Sequence, residues 1–199
     1  MEISRVFEHL YLVAIASSIT TLFGLILGVL CHIFKPTKKV ILWIVDVLQT
    51  LPVLALLGLI MIVFGATSTT VIVGLVLYSL LPIVRNTYVG LEDIEPGIKE
   101  AAKGMGMTKI QRLFKIELPL AFPMIFTGIR IAVVTSIGTA VFGAIVGGGG
   151  LGSTINRAIL IQDMTTLMEA TIALMLMAIL FDLGMGYMES RLKTRQFKN

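Results

Sequence analysis

Hydrophobic residues in this chain form five long runs that short polar segments separate, over residues 10–34, 40–64, 70–91, 122–146 and 167–188. Each run is close to or above the ~20 residues that an α-helix needs to cross about 30 Å of hydrocarbon. The runs lack the two-residue alternation of barrel strands and are about twice as long as such strands. The pattern predicts an all-α integral membrane protein with five transmembrane helices, forming a single domain over residues 1–199.

The amino-acid composition indicates that these runs lie in lipid, and it argues against a disulfide, a metal site and a nucleic-acid partner. The chain is 56% hydrophobic and 14% charged, whereas soluble domains are about 25% charged. Cys31 is the only cysteine, which excludes an internal disulfide, and its spacing from His9 and His32 is not that of a metal site. The net charge of +4 comes from basic residues that border the apolar runs, so we expect no nucleic-acid partner.

The distribution of lysine and arginine predicts the orientation in the membrane. Arg5 and Arg157 fall on one side of the predicted spans. The other side carries Lys35, Lys38, Lys39, Lys99, Lys103, Lys109, Arg112, Lys115, Arg191, Lys193, Arg195 and Lys198. Because basic residues accumulate on the cytoplasmic side, we predict an outside N-terminus, an inside C-terminus and a cytoplasmic loop over residues 92–121.

Glycine marks the outer loops and two predicted helix contacts. Residues 65–69 predict a tight turn. Residues 147–166 open with four glycines and predict a flexible loop near the external gate, which can re-enter or fold back. The stretch 147–154 resembles a phosphate-binding loop but lacks its lysine, so we expect no nucleotide there. Gly24 with Gly28, and Gly143 with Gly147, have the spacing that allows close helix approach.

The polar loop over residues 92–121 is predicted to form two short helices that are joined by a glycine turn. The first is predicted from Asp93, as its N-cap, to Met105. The second is predicted to begin at Thr108, which forms a capping box with Gln111, and to stop before Pro119. Ile110, Leu113 and Phe114 are predicted to share one face of it. Such a compact knob favours a role as a docking element.

The loop also carries a spaced motif, made of Glu100, Ala101, Ala102, Gly104, Gly106, Ile116, Leu118 and Pro119. It resembles the EAA loop of binding-protein-dependent ABC importer permeases. That resemblance implies the fold of a methionine-importer-like permease, and it makes the first loop helix a coupling helix that contacts an ATPase.

The same resemblance implies the partners. They are a dimer of ABC ATPase subunits that hold ATP and magnesium, a second permease copy or a homologous permease, and an external binding protein on a separate polypeptide. The chain itself would bind no cofactor and perform no chemistry, and it would be a multi-pass protein of the bacterial cell membrane.

Two further segments resemble the osmoprotectant subfamily, which imports glycine betaine, carnitine and choline. They are residues 46–52 and 81–87, in the second and third predicted spans. Another amino acid or amine-like zwitterion is the alternative substrate. An ion-driven carrier would show internal repeats and more spans. An intramembrane enzyme would need paired catalytic residues, for which His9 and His32 are poorly placed.

Polar residues within the spans give candidates for the translocation path. Asp46, Gln49 and Thr50 share a helix face, which either lines the path or joins helices. Tyr78 and Phe142 either offer aromatic faces to a quaternary ammonium group or only pack against neighbouring helices.

Four charged residues fall at one predicted depth, about 9–12 Å along their spans from the inner ends. They are Asp46, Arg85, Arg130 and Asp182, which we predict form a charge-balanced layer. The alternative makes Asp46 or Asp182 a counter-ion for a passing cation.

Overall fold

A computed structural model describes the backbone of residues 2–196 and the side chains of residues 2–194. Its α-helices, in chain order, are α1 (Ile3–Ile33), α2 (Lys35–Thr50), α3 (Val53–Phe64), α4 (Ser68–Glu92), α5 (Pro96–Gly104), α6 (Lys109–Arg112), α7 (Leu118–Thr139), α8 (Gly150–Leu160) and α9 (Met164–Gln196). A π-turn (Leu113–Glu117) joins α6 to α7, and a 3-10 segment (Ala140–Val146) extends α7. The described residues contain no strand, and the predicted all-α fold is confirmed.

Four helical segments in residues 2–196 are long and apolar enough to cross a membrane. They correspond to the first, third, fourth and fifth predicted spans. The first helix begins before residue 10 and ends at Ile33, and α9 continues beyond residue 188. In the added first turns, Arg5 contacts Glu8 of α1 at 2.9 Å and the N-cap residue Glu2 at 3.7 Å. Opposite charges three residues apart stabilise a helix by about 0.2–0.5 kcal/mol per pair.

The second predicted span, residues 40–64, is not one straight helix. It is broken into α2 and α3, which are bent by 102°. Pro52 has no N–H, and Leu51 before it takes an extended conformation with ψ 136°. The chain has five spans if this bent pair counts as one. The prediction of a continuous second helix is therefore wrong at Leu51 and Pro52.

Helix α4 lies at the centre and packs against α1, α2, α3 and α7. Its contact with α1 is close: a β-carbon on Gly24 would lie 2.7 Å from Ile83 Cγ2, and one on Gly28 would lie 2.5 Å from the Thr87 β-carbon. The predicted close approach at Gly24 and Gly28 is thus confirmed. Nearer to the start of α1 than this contact, the main hydrophobic core joins α1, α4, α7 and α8. Leu75 and Leu151 are fully buried in it.

The glycine-rich outer segment packs tightly, so the prediction of a flexible loop is wrong. Gly147, Gly149 and Gly150 all have positive φ, and α8 begins at Gly150. Space for a side chain is absent: a β-carbon on Gly150 would lie 3.1 Å from His9. His9 is fully buried and its Nε2 donates to the carbonyl of Ile137 at 2.9 Å. Helix α8 thereby closes the end of the bundle at which α1 begins.

Two predicted boundaries in the long loop are also wrong. Asp93 ends α4 as its C-cap, whereas α5 starts after Glu95 with Pro96 in its first turn, where proline's fixed φ suits a helix start. The second helix does not stop before Pro119. Leu118 N donates to Leu113 O across the π-turn, and Pro119 then occupies the first turn of α7, where a missing N–H is tolerated.

The orientation in the membrane stays a prediction. Among the basic residues on which it rests, Lys198 and the side chain of Arg195 lie outside the described residues.

We predict that Gly28→Ala destabilises the protein by about 1–3 kcal/mol, because the added methyl group must separate α1 from α4. The matched control is Gly58→Ala, since a β-carbon on Gly58 in α3 meets nothing within 4 Å. Ala favours a helix over Gly, so the control should keep or raise stability. Thermal unfolding in nanodiscs measures both, and equal effects would contradict the packing account.

Candidate functional site

Helix α5 ends in a turn that requires glycine. Gly106 N donates to Lys103 O at 3.0 Å, and Met107 N donates to Ala102 O at 3.2 Å. This pair of hydrogen bonds defines a Schellman motif, in which the residue after the C-cap is left-handed. Gly106 occupies that position with φ +77°. A β-carbon there would meet nothing within 4 Å, so the requirement for glycine comes from the backbone alone.

The next helix starts with the predicted capping box. Thr108 Oγ1 accepts from Gln111 N at 3.2 Å, and Gln111 Oε1 accepts from Thr108 N at 2.9 Å. The turn between α5 and α6 is therefore defined from both sides, by a Schellman motif before it and a capping box after it. The loop over residues 92–121, hereafter the EAA loop, is a defined helical knob.

The motif residues of the EAA loop divide by exposure. Glu100, Ala101, Gly104, Gly106 and Pro119 are exposed, Ile116 and Leu118 are half-buried, and Ala102 is buried. Leu118 packs against the small core of Leu91, Ile94, Leu113, Ala121 and Ile125. The exposed motif residues are thus available to a partner, while Ala102 and Leu118 face the chain itself. Their roles in coupling stay a prediction.

Large apolar side chains are exposed beside the motif. Met105, Ile110 and Phe114 are 69%, 71% and 65% exposed. Clustered apolar exposure on a loop is typical of a protein contact surface. The predicted common face of Ile110, Leu113 and Phe114 is wrong for Leu113, because this side chain is buried in the small core beside Leu91 while the other two are exposed.

A buried carboxylate at the base of the EAA loop was missed by sequence reasoning. Glu117 is 2% exposed and accepts from Arg112 Nε at 2.6 Å. It also lies 3.2 Å from His32 Nε2 on α1. The spacing of five residues between Arg112 and Glu117 does not align side chains in an α-helix. The π-turn, with its i→i+5 hydrogen bonds, brings them onto one face.

The four charged residues of the predicted layer form two separate ion pairs. Arg85 donates to Asp46 at 3.0 and 3.2 Å, joining α4 to α2. Arg130 donates to both carboxylate oxygens of Asp182, at 2.8 and 2.9 Å, joining α7 to α9. Whether the two pairs share one depth in the bilayer stays a prediction.

The second ion pair has a further member. Glu189 accepts from Arg130 at 3.0 Å, from Thr127 at 2.7 Å and from Lys193 at 2.7 Å. The predicted fifth span ends at residue 188, so it does not include Glu189. Glu189 lies seven residues, or about two helical turns, after Asp182, so a longer α9 places both carboxylates on one face.

The remaining path candidates are not gathered into one site. Gln49 and Thr50 lie in the last turn of α2 beside the break, and the Thr50 hydroxyl donates to Val47 O at 2.8 Å. Tyr78 is half-buried on α4, and Phe142 is exposed in the 3-10 segment. The described side chains show no ring contact between Tyr78 and Phe142. Their role in translocation stays a prediction.

A polar cavity of about 460 Å³ lies where α1 begins, at the opposite end of that helix from the EAA loop. Its lining includes Arg5 of α1, Arg157 of α8 and Asp163. Thr166 donates to Asp163 through its hydroxyl at 2.6 Å and its N–H at 3.1 Å, and these bonds hold the pKa of Asp163 below its usual range. Within the described residues no cluster of His, Cys, Asp and Glu has the arrangement of a metal site.

Comparison with known proteins agrees with this geometry. The family described as "binding-protein-dependent transport system inner membrane component" matches residues 20–194. The chain is 44% identical over 170 residues to the glycine betaine/carnitine/choline transport system permease protein OpuCD of Bacillus subtilis (strain 168), covering 85% of this chain and 74% of the relative. It is 40% identical over 184 residues to the osmoprotectant import permease protein OsmW of Salmonella typhimurium (strain LT2), covering 90% and 86%.

Solved structures agree on the fold. The MetNI methionine ABC transporter, in an inward-facing conformation, superposes with a TM-score of 0.86 at 23% identity, covering 96% of this chain and 95% of that one. The match of the family over most of the chain, together with relatives at 40% identity or more, settles the assignment. This chain belongs to the family of inner membrane components of binding-protein-dependent transport systems.

Proposed function

We propose that this chain is the permease subunit of an ATP-driven importer that moves a quaternary ammonium osmoprotectant across the bacterial cell membrane. Two permeases, identical or homologous, enclose the path and bind a pair of ABC ATPase subunits. An external binding protein delivers the solute. The ATPase subunits hold ATP and magnesium, and this chain performs no hydrolysis. The observation that carries the proposal is a defined helical knob with an exposed apolar surface, joined to the membrane helices of a permease fold.

The construction of the EAA loop supports a mechanical role. The Schellman turn at Gly106 and the capping box at Thr108 hold α5 and α6 in one arrangement. The π-turn then continues directly into α7, so one helical segment runs from Lys109 to Val146. A push on the loop by a closing ATPase dimer would therefore reach the membrane through a continuous helix. A loosely tethered loop would absorb the same push.

The pair of Asp46 and Arg85 supports a path between two permeases. Both side chains are substantially exposed, at 41% and 55%, although they lie between predicted span ends. Charges that face hydrocarbon are costly, so this face needs a polar surrounding. A second permease copy, or water between two copies, would provide it. Asp46 then lies at the edge of the path, where its pairing with Arg85 leaves it less available as a tight cation site.

The named functions of the relatives support the substrate class. OpuCD of B. subtilis is a glycine betaine/carnitine/choline permease, and OpuBD of the same organism, 40% identical over 186 residues, is a choline permease. All three named solutes carry a quaternary ammonium group. The alternative is another amino acid or amine-like zwitterion, carried by the same type of permease.

The polar cavity beside α8 supports contact with the external binding protein. The guanidinium groups of Arg5 and Arg157 and the carboxylate of Asp163 line an open cavity. It lies at the end of the bundle that the distribution of basic residues predicts to be outside. Charged groups at such a rim guide association and orientation more than they add affinity.

We predict that Gly106→Ala lowers the amount of solute imported per ATP hydrolysed. An alanine at positive φ is strained by about 1–3 kcal/mol, so the Schellman turn would rearrange and the knob would change shape. The matched control is Gly65→Ala in the turn between α3 and α4. Gly65 also has positive φ, at +70°, and also has nothing within 4 Å of a β-carbon. Proteoliposomes containing permease, ATPase and binding protein provide both rates.

The control should lose stability without changing the ratio of solute to ATP. If both variants keep the ratio, or if Gly65→Ala lowers it as much as Gly106→Ala, the EAA loop is not the coupling element. Thermal unfolding of both variants shows whether the backbone strain is comparable.

We also predict that a bacterial strain lacking its other osmoprotectant carriers takes up labelled glycine betaine, carnitine or choline when it expresses this permease with its partners. Uptake should stop when the ATPase is inactivated. Transport of none of the three solutes would overturn the substrate class. Uptake of an amino acid by the same complex would favour the alternative.

A further inference from the structure

Four ionisable side chains meet where the EAA loop joins the membrane helices. Glu117 is the buried centre, with Arg112 Nε at 2.6 Å from Oε1 and His32 Nε2 at 3.2 Å from Oε2. The other ring nitrogen of His32, Nδ1, lies 3.0 Å from Glu92 Oε1. We call Arg112, Glu117, His32 and Glu92 the loop clasp.

The loop clasp ties four segments together at their ends. His32 lies in the last turn of α1, and Glu92 is the last residue of α4. Arg112 ends α6, and Glu117 ends the π-turn that leads into α7. A contact at these four ends fixes the direction in which the EAA loop leaves the bundle. Glu117 lies directly between the motif residues Ile116 and Leu118.

The hydrogen-bond distances in the clasp determine how many protons its contacts require. Both ring nitrogens of His32 lie within hydrogen-bond distance of carboxylate oxygens, which accept and do not donate when ionised. A neutral imidazole has one N–H, so it can satisfy one carboxylate and must present a lone pair to the other. The imidazolium satisfies both. A neutral ring beside one protonated carboxyl group satisfies the same contacts with the same number of protons.

The net charge of the clasp also favours the state that holds the additional proton. With the imidazolium, His32 and Arg112 balance Glu92 and Glu117, and the clasp is neutral. Without that proton it carries a net negative charge around a carboxylate that is 2% exposed. Two lysines are also near: Lys99 of α5 donates to Leu91 O at 2.8 Å and contacts Glu92 O at 3.5 Å. Lys38 of α2 donates to the hydroxyl of Tyr88 on α4, and Cys31 beside His32 is buried.

We propose that Glu117 is a positioning residue for coupling and that a proton on the clasp controls how firmly the EAA loop is held. With the proton, His32 bridges Glu117 and Glu92, and movement of the loop is transmitted to α1 and α4 as well as along α7. Loss of the proton removes one of the two bridges, because one ring nitrogen then faces a carboxylate without a hydrogen. Transmission therefore weakens as the pH rises. This inference rests on the proposed coupling function of the EAA loop.

The pH dependence can be assigned to one residue by substitution. The chain has two histidines, His9 and His32, and histidine is the side chain whose unperturbed titration falls between about pH 5 and 8. His32→Gln keeps a donor and an acceptor of similar reach but cannot gain a proton. His9 is fully buried at the other end of α1 and is left unchanged. A pH effect that arises from His9 or from the partners would survive His32→Gln.

The first measurement uses the permease alone in nanodiscs. A nitroxide label is attached at Ile110→Cys, an exposed position in α6, in a chain that also carries Cys31→Ala. We expect the motion of the label to increase from pH 6 to pH 8 when His32 is present. It should be independent of pH in His32→Gln. An equal pH dependence in both chains would overturn the proposal.

The second measurement uses the complete transporter in proteoliposomes. We expect Glu117→Gln to lower the solute imported per ATP by about fivefold or more at pH 6. In the unsubstituted protein the ratio should fall between pH 6 and pH 8, and in His32→Gln it should be low and independent of pH. Unchanged ratios in both variants would overturn the proposal. If the Glu117→Gln variant does not insert into the membrane, the pH dependence of the ratio of solute to ATP in His32→Gln provides the test of the proposal.

Gly106→Ala separates this inference from the proposed function. If Gly106→Ala uncouples transport while Glu117→Gln and His32→Gln do not, the EAA loop couples but the loop clasp does not position it. If Gly106→Ala also leaves the ratio unchanged, the proposed function of the loop fails, and the label at Ile110 then reports only how the loop is held.

Discussion

Hydrocarbon cannot hydrogen-bond to a polar group, and this constraint determines most of the structure. Every backbone group within the bilayer must find its partner inside the protein, so the apolar runs form helices. Charged side chains obey the same rule. Arg130 is held by Asp182 and Glu189 between α7 and α9, and Arg85 is held by Asp46 between α4 and α2. Charged side chains that pair between helices therefore also help to determine which helices are neighbours.

The sequence predicts the fold well where the length and hydropathy of an apolar run determine a helix. It predicts the fold less well where a single residue changes the direction of the backbone. Four of the five spans, the glycine contact between α1 and α4, and the capping box at Thr108 all follow from local rules. The break at Pro52 does not, because proline inside an apolar run can kink a helix or end it, and packing against α4 decides between them. Helix α8 is not predicted, because four glycines normally indicate a flexible loop, whereas here they allow close packing on α1, on Ala66 and on Val71 of α4.

The position of the candidate site and its exposed motif could be predicted from the sequence, whereas the contacts of its buried residues could not. The spacing of Glu100 to Pro119 identified the EAA loop, and its Schellman turn at Gly106 agrees with the predicted glycine turn. The partners of Glu117 could not be predicted. Arg112 meets it only because of a π-turn, and His32 lies 85 residues away along the chain. Helical periodicity is a local rule, so it cannot identify a long-range contact or a change of helical register.

The account makes the EAA loop the part of the permease that touches the ATPase, and cross-linking tests this most directly. A photoreactive group attached at Met105→Cys, in a chain carrying Cys31→Ala, should cross-link to the ATPase subunit in the purified transporter. The comparison position is Ile62→Cys in α3, where the native side chain is 80% exposed and far from the loop in the chain. The account predicts cross-links to the ATPase from residue 105 and none from residue 62. Cross-links from residue 62 alone, or from neither position in a complex that hydrolyses ATP, would contradict it.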